Sequence, residues 1–268
     1  MTRFHIIANS GKDPDGVHTT HIVEVLKELG AQSVTVGADI PEDTEAILVL
    51  GGDGTMLRAA GDTFGLGIPL IGVNLGTLGY LAEAEMSNIR DDLALLLDDS
   101  PVIEERMMLC GEIITSANEG DNPTDHCLNE ISVTGHGALC IIRYEIYVNG
   151  EFLNMYAADG LVISTPTGST GYNMSAGGPI VNPKANLIVL TPICPHTLNT
   201  RSIVLSADDK IVVKIVEGQS VAVAQFDGRE PYALSAGDEI HVCKSDQVTR
   251  IVKLRRESFL NTLHKKLV

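Results

Sequence analysis

AILVLGGDGTML, residues 46–57, runs five apolar residues straight into three glycines set around one aspartate. A short apolar run ended by glycines reads as a buried strand of a parallel sheet, and the pattern after it as a helix starting near Thr55. Ligands of such sheets gather where strands end and loops turn into helices. Gly51, Gly52 and Gly54 allow close backbone approach by a phosphate, and Thr55 lies where the helix offers N–H groups to an anion. Asp53 places a negative charge in their midst, and the stretch fits neither GxxxxGK[ST] nor GxGxxG. With no P-loop lysine, the carboxylate has two chemical uses. It holds a metal that bridges phosphates, or it accepts the proton of a hydroxyl about to attack one. Both uses belong to a phosphotransferase. The alternative is that Asp53 caps the helix.

Outward from this stretch, the first hundred residues alternate short apolar segments with helical spacing. RFHIIAN, SVTVG and IPLIGVN read as strands. In VHTTHIVEVLKELG, Val17, Ile22, Val25, Leu26 and Leu29 recur at helical intervals, closed by Gly30, and SNIRDDLALLLDD repeats the pattern. The alternation predicts an α/β domain over residues 1–100, with a parallel, Rossmann-like sheet. From Pro101 the helical periodicity gives way to β-branched segments and turn signals, predicting a β-rich domain over 101–255. Its clearest element is IIRYEIYVNGEFLNMY, two strands joined at Asn149-Gly150, a pair favoured where both turn residues take positive φ. ESFLNTLHKKL returns to helical spacing, so a helix over 256–268 is expected to pack back on the first domain.

The chain has 35 acidic against 19 basic residues and a formal charge of −16. That balance argues against nucleic acid or an anionic membrane as a partner, because phosphate backbones are held by Lys and Arg. An anionic ligand must therefore be met by local groups. Cysteines 110, 127, 140, 194 and 243 form no CxxC pair, and their odd number fits no simple disulfide framework. The N-terminal apolar run is too short for a signal peptide, and no segment reaches the roughly 20 apolar residues of a membrane span. A cytoplasmic protein with reduced thiols is expected. His18 and His21 lie three apart with no third ligand near them, and predict no zinc site.

Two further segments carry chemistry. DGLVISTPTGSTGYNMSAGGPI, residues 159–180, gathers hydroxyls at Thr165, Thr167, Ser169, Thr170 and Ser175 among glycines. Such a segment builds little core and suits phosphate or ribose without net positive charge, unless it is an ordinary glycine-rich loop. CLNEISV puts Asn129 and Glu130 side by side in an otherwise apolar strand. Burying either polar group demands partners, and paired ribose hydroxyls would serve.

GGDG, the Asn129-Glu130 pair and the 159–180 segment, in this order and spacing, resemble the NAD kinase family, which makes NADP from NAD. The likeness extends to NLGTLGYLAE, TPICPHTLNTRSIVL and FLNTLHKKL. GGDG alone occurs also in lipid kinases and resembles a phosphofructokinase motif. The resemblance implies a phosphofructokinase/diacylglycerol-kinase-like α/β domain, a β-rich NAD-binding domain and an active site between them. It implies that Asp53 orients or deprotonates the 2′-hydroxyl of the adenosine ribose, with Gly54 beside it. Asn129 and Glu130 match the pair that binds NAD, and Asp159 an aspartate near the nicotinamide, where it faces a cationic ring. Thr170, Gly171, Tyr172, Asn173, Met174 and Ser175 match the segment lining the substrate pockets. Asp227 matches a ribose-contacting aspartate, with Arg229 close behind. The sequence departs from the family pattern at Ala157, where many members are basic, at Gly171, commonly alanine, and at Leu81 after Tyr80. Arg58, one turn past GGDG, is then the candidate for phosphate contact.

The leading expectation is an ATP-dependent NAD kinase using Mg²⁺ or another divalent ion held chiefly by phosphates, with no dedicated protein cage. A lipid or sugar kinase sharing GGDG and a catalytically silent NAD sensor are the alternatives. The β strands have edges that need covering, and a homodimer or homotetramer is expected.

Overall fold

The computed structural model describes residues 1–76, 79–98, 101–115, 122–137, 141–196, 201–216, 221–254 and 259–267. Cys140 and parts of four segments quoted above (77–78, 99, 197–200 and 257–258) lie outside them. The chain divides into two units, Met1–Arg106 with Thr249–Val268, and Met107–Val248.

The first unit begins with β1 (Arg3–Ala8), α1 (Val17–Glu28), β2 (Ser33–Val36), β3 (Ala46–Gly51), α2 (Asp53–Asp62), β4 (Leu70–Asn74), β5 (Ala82–Glu85) and α3 (Ile89–Asp98). Its strands pair in parallel in the order β2-β1-β3-β4-β5. Every residue of β3 and β4 is buried, as strands covered on both faces require. Phe4, Leu48, Leu50 and Ile71 of the sheet share one core with Ile22 and Leu26 of α1 and Leu93 of α3. Gly30 follows α1 at φ 92°, a conformation that suits glycine. Val17, counted on the apolar face of α1, is instead exposed on its first turn. The helix after GGDG starts at Asp53 rather than Thr55, with Gly52 as its N-cap.

β6 (Val102–Ile114) carries the chain into the second unit. There follow β7 (Thr124–Cys127), β8 (Glu130–Gly135), β9 (Ile142–Val148), β10 (Glu151–Ala158), β11 (Gly160–Ser164), the short α4 (Tyr172–Ser175), β12 (Leu187–Ile193), β13 (Ile203–Ser206), β14 (Ile211–Ile215), β15 (Ala222–Phe226) and β16 (Tyr232–Leu234). One antiparallel sheet runs β13-β12-β11-β8-β15-β16. β10, β9 and β14 pair in a second sheet with β17 (Glu239–Lys253). Tyr144, Ile146, Leu161, Ile163 and Phe226 belong to their common core. Asn149 and Gly150 take φ 53° and 84°, as the β9–β10 turn demands. CLNEISV is not one strand: β7 stops at Cys127, β8 begins at Glu130, and Leu128–Asn129 form a bend.

The last residues of β17 belong to the first unit, where Ile251 pairs in parallel with Leu70, and α5 (Phe259–Leu267) closes the described chain. Among the described residues no helix is long and apolar enough to cross a membrane.

Candidate active site

In the first unit, β3 delivers GGDG to the start of α2. A Cβ on Gly51 would lie 2.1 Å from Thr55 Oγ1, so this turn accepts no side chain there without displacing Thr55. Asn9 Nδ2 donates to Thr55 Oγ1 at 3.0 Å and fixes the hydroxyl. Asp53 does not cap its own helix. Its carboxylate accepts the backbone N–H groups of Tyr80 at 2.8 Å and Leu81 at 3.0 Å. The capping alternative thus gives way to a brace across to residues 80–81. A carboxylate offers about four acceptor positions, so these two bonds leave lone pairs for a proton. Gly79 presses on the same group: a Cβ there would fall 1.9 Å from Asp53 Oδ1.

A cavity of about 320 Å³ opens over this turn, floored by Gly52, Asp53, Gly54 and Thr55. Lys12, Arg58 and Lys266 also line it, so that among the described residues three cations stand against one carboxylate. This is the local basic help that an acidic chain needs to receive an anion. Arg58 is exposed, and its Nε–H reaches back to the Gly54 carbonyl at 3.5 Å. Lys12 Nζ stands 3.1 Å from where a Gly52 Cβ would be, close above the GGDG backbone.

In the second unit the Leu128–Asn129 bend is gripped from two sides. Asp227, itself in the left-handed region at φ 50°, accepts the N–H groups of Leu128, Asn129 and Glu130 at 2.7, 2.8 and 3.1 Å. Thr165 Oγ1 donates to the Leu128 carbonyl at 2.6 Å, and the Thr165 N–H to the Asn129 carbonyl at 2.8 Å. Gly168 sits so close that a Cβ would lie 2.2 Å from the Asn129 carbonyl oxygen. At this bend Asn129 Oδ1 and Glu130 Oε2 are buried without a hydrogen-bond partner among the described residues. A buried polar atom left unpaired costs about 1–3 kcal/mol, and the two oxygens keep free capacity to accept a hydrogen bond. Gly171 lies against both, its Cβ position 3.1 Å from Asn129 Nδ2 and 3.3 Å from Glu130 Oε2. Burial, then the nearby Asp227 charge, pushes the Glu130 carboxyl up to about 7, against the opposing pull of the Tyr172 N–H.

The remaining candidates divide. Asp159, Tyr172, Met174 and Ser175 are exposed and Thr170 is half-buried. Although the Tyr172 residue is exposed, partial desolvation of its hydroxyl, then the charges of Cys194, Glu130 and Asp159, raises that group. Asn173 is fully buried, with its side chain engaged in the fold: Nδ2 donates to the Ser169 and Pro179 carbonyls, and Oδ1 accepts from Thr191. Arg229 is likewise engaged, with Asp125 at 2.9 Å, the His126 carbonyl and the Phe226 carbonyl. Both carboxylate oxygens of Asp227 are taken up by the bend. Asp227→Asn sets an amide donor against these N–H groups and should loosen the bend. The expected result is a lower urea midpoint of unfolding, as a bend that loses one of its acceptor oxygens becomes less stable.

Sequence reading missed Asn9, Lys12, Gly79, Tyr80 and Lys266. A usable signal existed for the first two. They lie in ANSGKD just after β1, the strand beside β3, and so at the carboxyl end of the same sheet. Lys266 carried no such signal.

A cavity lined by Lys12, Arg58 and Lys266 over a buried strand end, with a braced carboxylate in its floor, is the arrangement of a phosphotransferase, and the second unit offers two buried acceptor oxygens. Residues 12–100 match the ATP-NAD kinase N-terminal domain and residues 128–254 the ATP-NAD kinase C-terminal domain. The NAD kinase of Lachnospira eligens is 42% identical, with all of both chains covered. Among solved structures, a yeast NADH kinase complexed with NADH superposes with TM-score 0.84 at 25% identity, covering 100% of this chain and 87% of that one. An NAD kinase from Archaeoglobus fulgidus in complex with ATP gives TM-score 0.78 at 27% identity, covering 99% and 98%. The chain belongs to the NAD kinase family.

Proposed function

We propose that this chain transfers the terminal phosphate of ATP to the 2′-hydroxyl of the adenosine ribose of NAD, with Asp53 as the base. In this reading Asn129 and Glu130 accept hydrogen bonds from ribose hydroxyls, and Lys12 and Arg58 face the phosphates of ATP. The observation that carries it is the Asp53 carboxylate, fixed by two N–H groups in the floor of a cavity that Lys12, Arg58 and Lys266 also line. Facing a neutral hydroxyl, Asp53 meets no repulsion from the acceptor. It takes the proton as the oxygen attacks, while charge spread over the transferring phosphoryl oxygens is met by Lys12 and Arg58.

Among the described residues no group of three His, Cys, Asp or Glu side chains is placed to hold a metal. Asp53 is the one carboxylate among the described residues lining the cavity, and that donor set suits a divalent ion such as Mg²⁺ carried in on the phosphates of ATP. Bound there, the ion offsets phosphate charge. Asp159 faces the nicotinamide end, and Thr170, Gly171, Tyr172, Met174 and Ser175 line the NAD pocket. Asp227 is a positioning residue. A cytoplasmic location and a homodimer or homotetramer belong to the same proposal. Light scattering at micromolar concentration should then give at least twice the 28.6 kDa chain mass, and a single-chain mass would contradict it.

The function is tested by supplying ATP with NAD, a diacylglycerol and fructose 6-phosphate side by side. Turnover of NAD alone is expected. Turnover of only a lipid or sugar would overturn the reading, and NAD binding without NADP formation would make the chain a sensor.

Glu130 gives a pH signature. Its folded pKa lies above the ordinary 4.5, so its contribution to stability is fully present below about 4.5 and is lost as pH rises through about 7. Substrate binding runs the other way, because the ionised carboxylate accepts hydroxyls. The KM for NAD should fall about tenfold from pH 6 to pH 8, as a single ionisation near 7 dictates, and Glu130→Gln should flatten the profile.

A further inference from the structure

We infer that α5 is part of the phosphate-binding apparatus: Lys266 supplies a donor-facing cation, and Tyr80 is the seat that holds it. Lys266 Nζ stands 4.2 Å from the centroid of the Tyr80 ring, well within the roughly 6 Å reach of a cation–π contact. The same lysine lines the cavity over Gly52, Asp53, Gly54 and Thr55. Tyr80 therefore has two attachments, its ring under the Lys266 ammonium and its N–H on the Asp53 carboxylate. One residue couples the position of the base to that of a cation nearly 190 residues further along the chain.

His264, Lys265 and Lys266 all lie in the last turn of α5, where positive charge suits the helix dipole. The dipole accounts for basic residues in that turn, but not for the placement of Lys266 over the Tyr80 ring, with Lys266 itself lining the cavity. A polyphosphate approaching a chain of net charge −16 needs nearby cations, and an ammonium meets phosphate oxygens as a mobile point charge with three donors. The ring limits where that mobile charge can go. Seated on Tyr80, it faces the cavity before the donor arrives.

This inference rests on the cavity being the ATP phosphate site. Lys266→Met keeps an apolar stem on the Tyr80 ring and removes only the charge; Lys266→Arg keeps the charge and stacks on the ring. Steady-state kinetics should show the KM for ATP raised roughly 5- to 20-fold in Lys266→Met, with the KM for NAD unchanged, and restored to within about threefold in Lys266→Arg. Calorimetric titration with inorganic triphosphate should show a parallel loss of affinity in Lys266→Met. Adding Tyr80→Leu to Lys266→Met should raise the KM for ATP less than the product of the two single effects. A Lys266→Met enzyme with wild-type KM for ATP and wild-type triphosphate affinity would overturn the inference and leave Lys266 as packing. Failure of the wild-type chain to make NADP would overturn the functional reading instead, and the triphosphate titration would still decide on Lys266.

Discussion

Asp53→Asn should lower kcat by about 10²–10⁴, equivalent to roughly 3–5 kcal/mol of barrier, while NAD affinity stays within a few-fold of wild type. The amide still contacts a ribose hydroxyl but has no basic oxygen. The structure adds a second consequence. Asparagine has one acceptor oxygen where the carboxylate has two, and both are in use, so either Tyr80 or Leu81 loses its partner. One unsatisfied N–H costs about 1–3 kcal/mol, readable as a lower urea midpoint of unfolding. The stability loss and the rate loss are separate measurements, and only the second bears on the base. Steady-state assays of NADP formation, with calorimetric NAD binding and urea unfolding on the same preparation, separate them. Loss of Mg²⁺ affinity alone would make Asp53 a metal ligand.

Gly79→Ala should lower kcat by about 10²-fold with Asp53 still present. A Cβ at 79 would lie 1.9 Å from Asp53 Oδ1 and 2.6 Å from Cγ, distances that no real contact reaches. Either the carboxylate swings off the Tyr80 and Leu81 N–H groups or residues 79–81 move outward with Tyr80. A displacement of about 1 Å from a reactive geometry is enough for a loss of that size. The substitution lies in the first unit, whereas Asn129 and Glu130 lie in the second, so the KM for NAD should change less than kcat. A wild-type kcat in a folded Gly79→Ala protein would show that the exact seat of the carboxylate is unimportant.

What the sequence displays is what short-range pattern encodes. The buried run of β3 ending in GGDG, the Asn149-Gly150 turn with both φ positive, and the change from α/β alternation to strands each depend on neighbours within a few residues. Side-chain partners depend on contacts made across the chain. Asp227 meets Leu128 across 99 positions and Asp53 meets Tyr80 across 27, so nothing local marks either carboxylate as a brace. The same blindness covers Asn173, because a buried amide engaged by Ser169, Pro179 and Thr191 reads in sequence like any polar residue of a loop. Arg58 was visible one helical turn from GGDG. Lys12 and Lys266 reach the same cavity from the far end of β1 and from the last helix. The net acidity of the chain told that cations were needed, and only the fold told which.

Steady-state turnover mixes chemistry with product release, so the most direct test of Asp53 as the base is the single-turnover rate of phosphoryl transfer. Enzyme in excess over ATP, saturated with NAD and a divalent ion, is mixed rapidly and NADP formation followed in wild type and Asp53→Asn. The account predicts a transfer rate about 10²–10⁴ lower in Asp53→Asn at unchanged NAD occupancy. A wild-type transfer rate in the folded variant would contradict it, and would leave Asp53 with no task beyond bracing Tyr80 and Leu81.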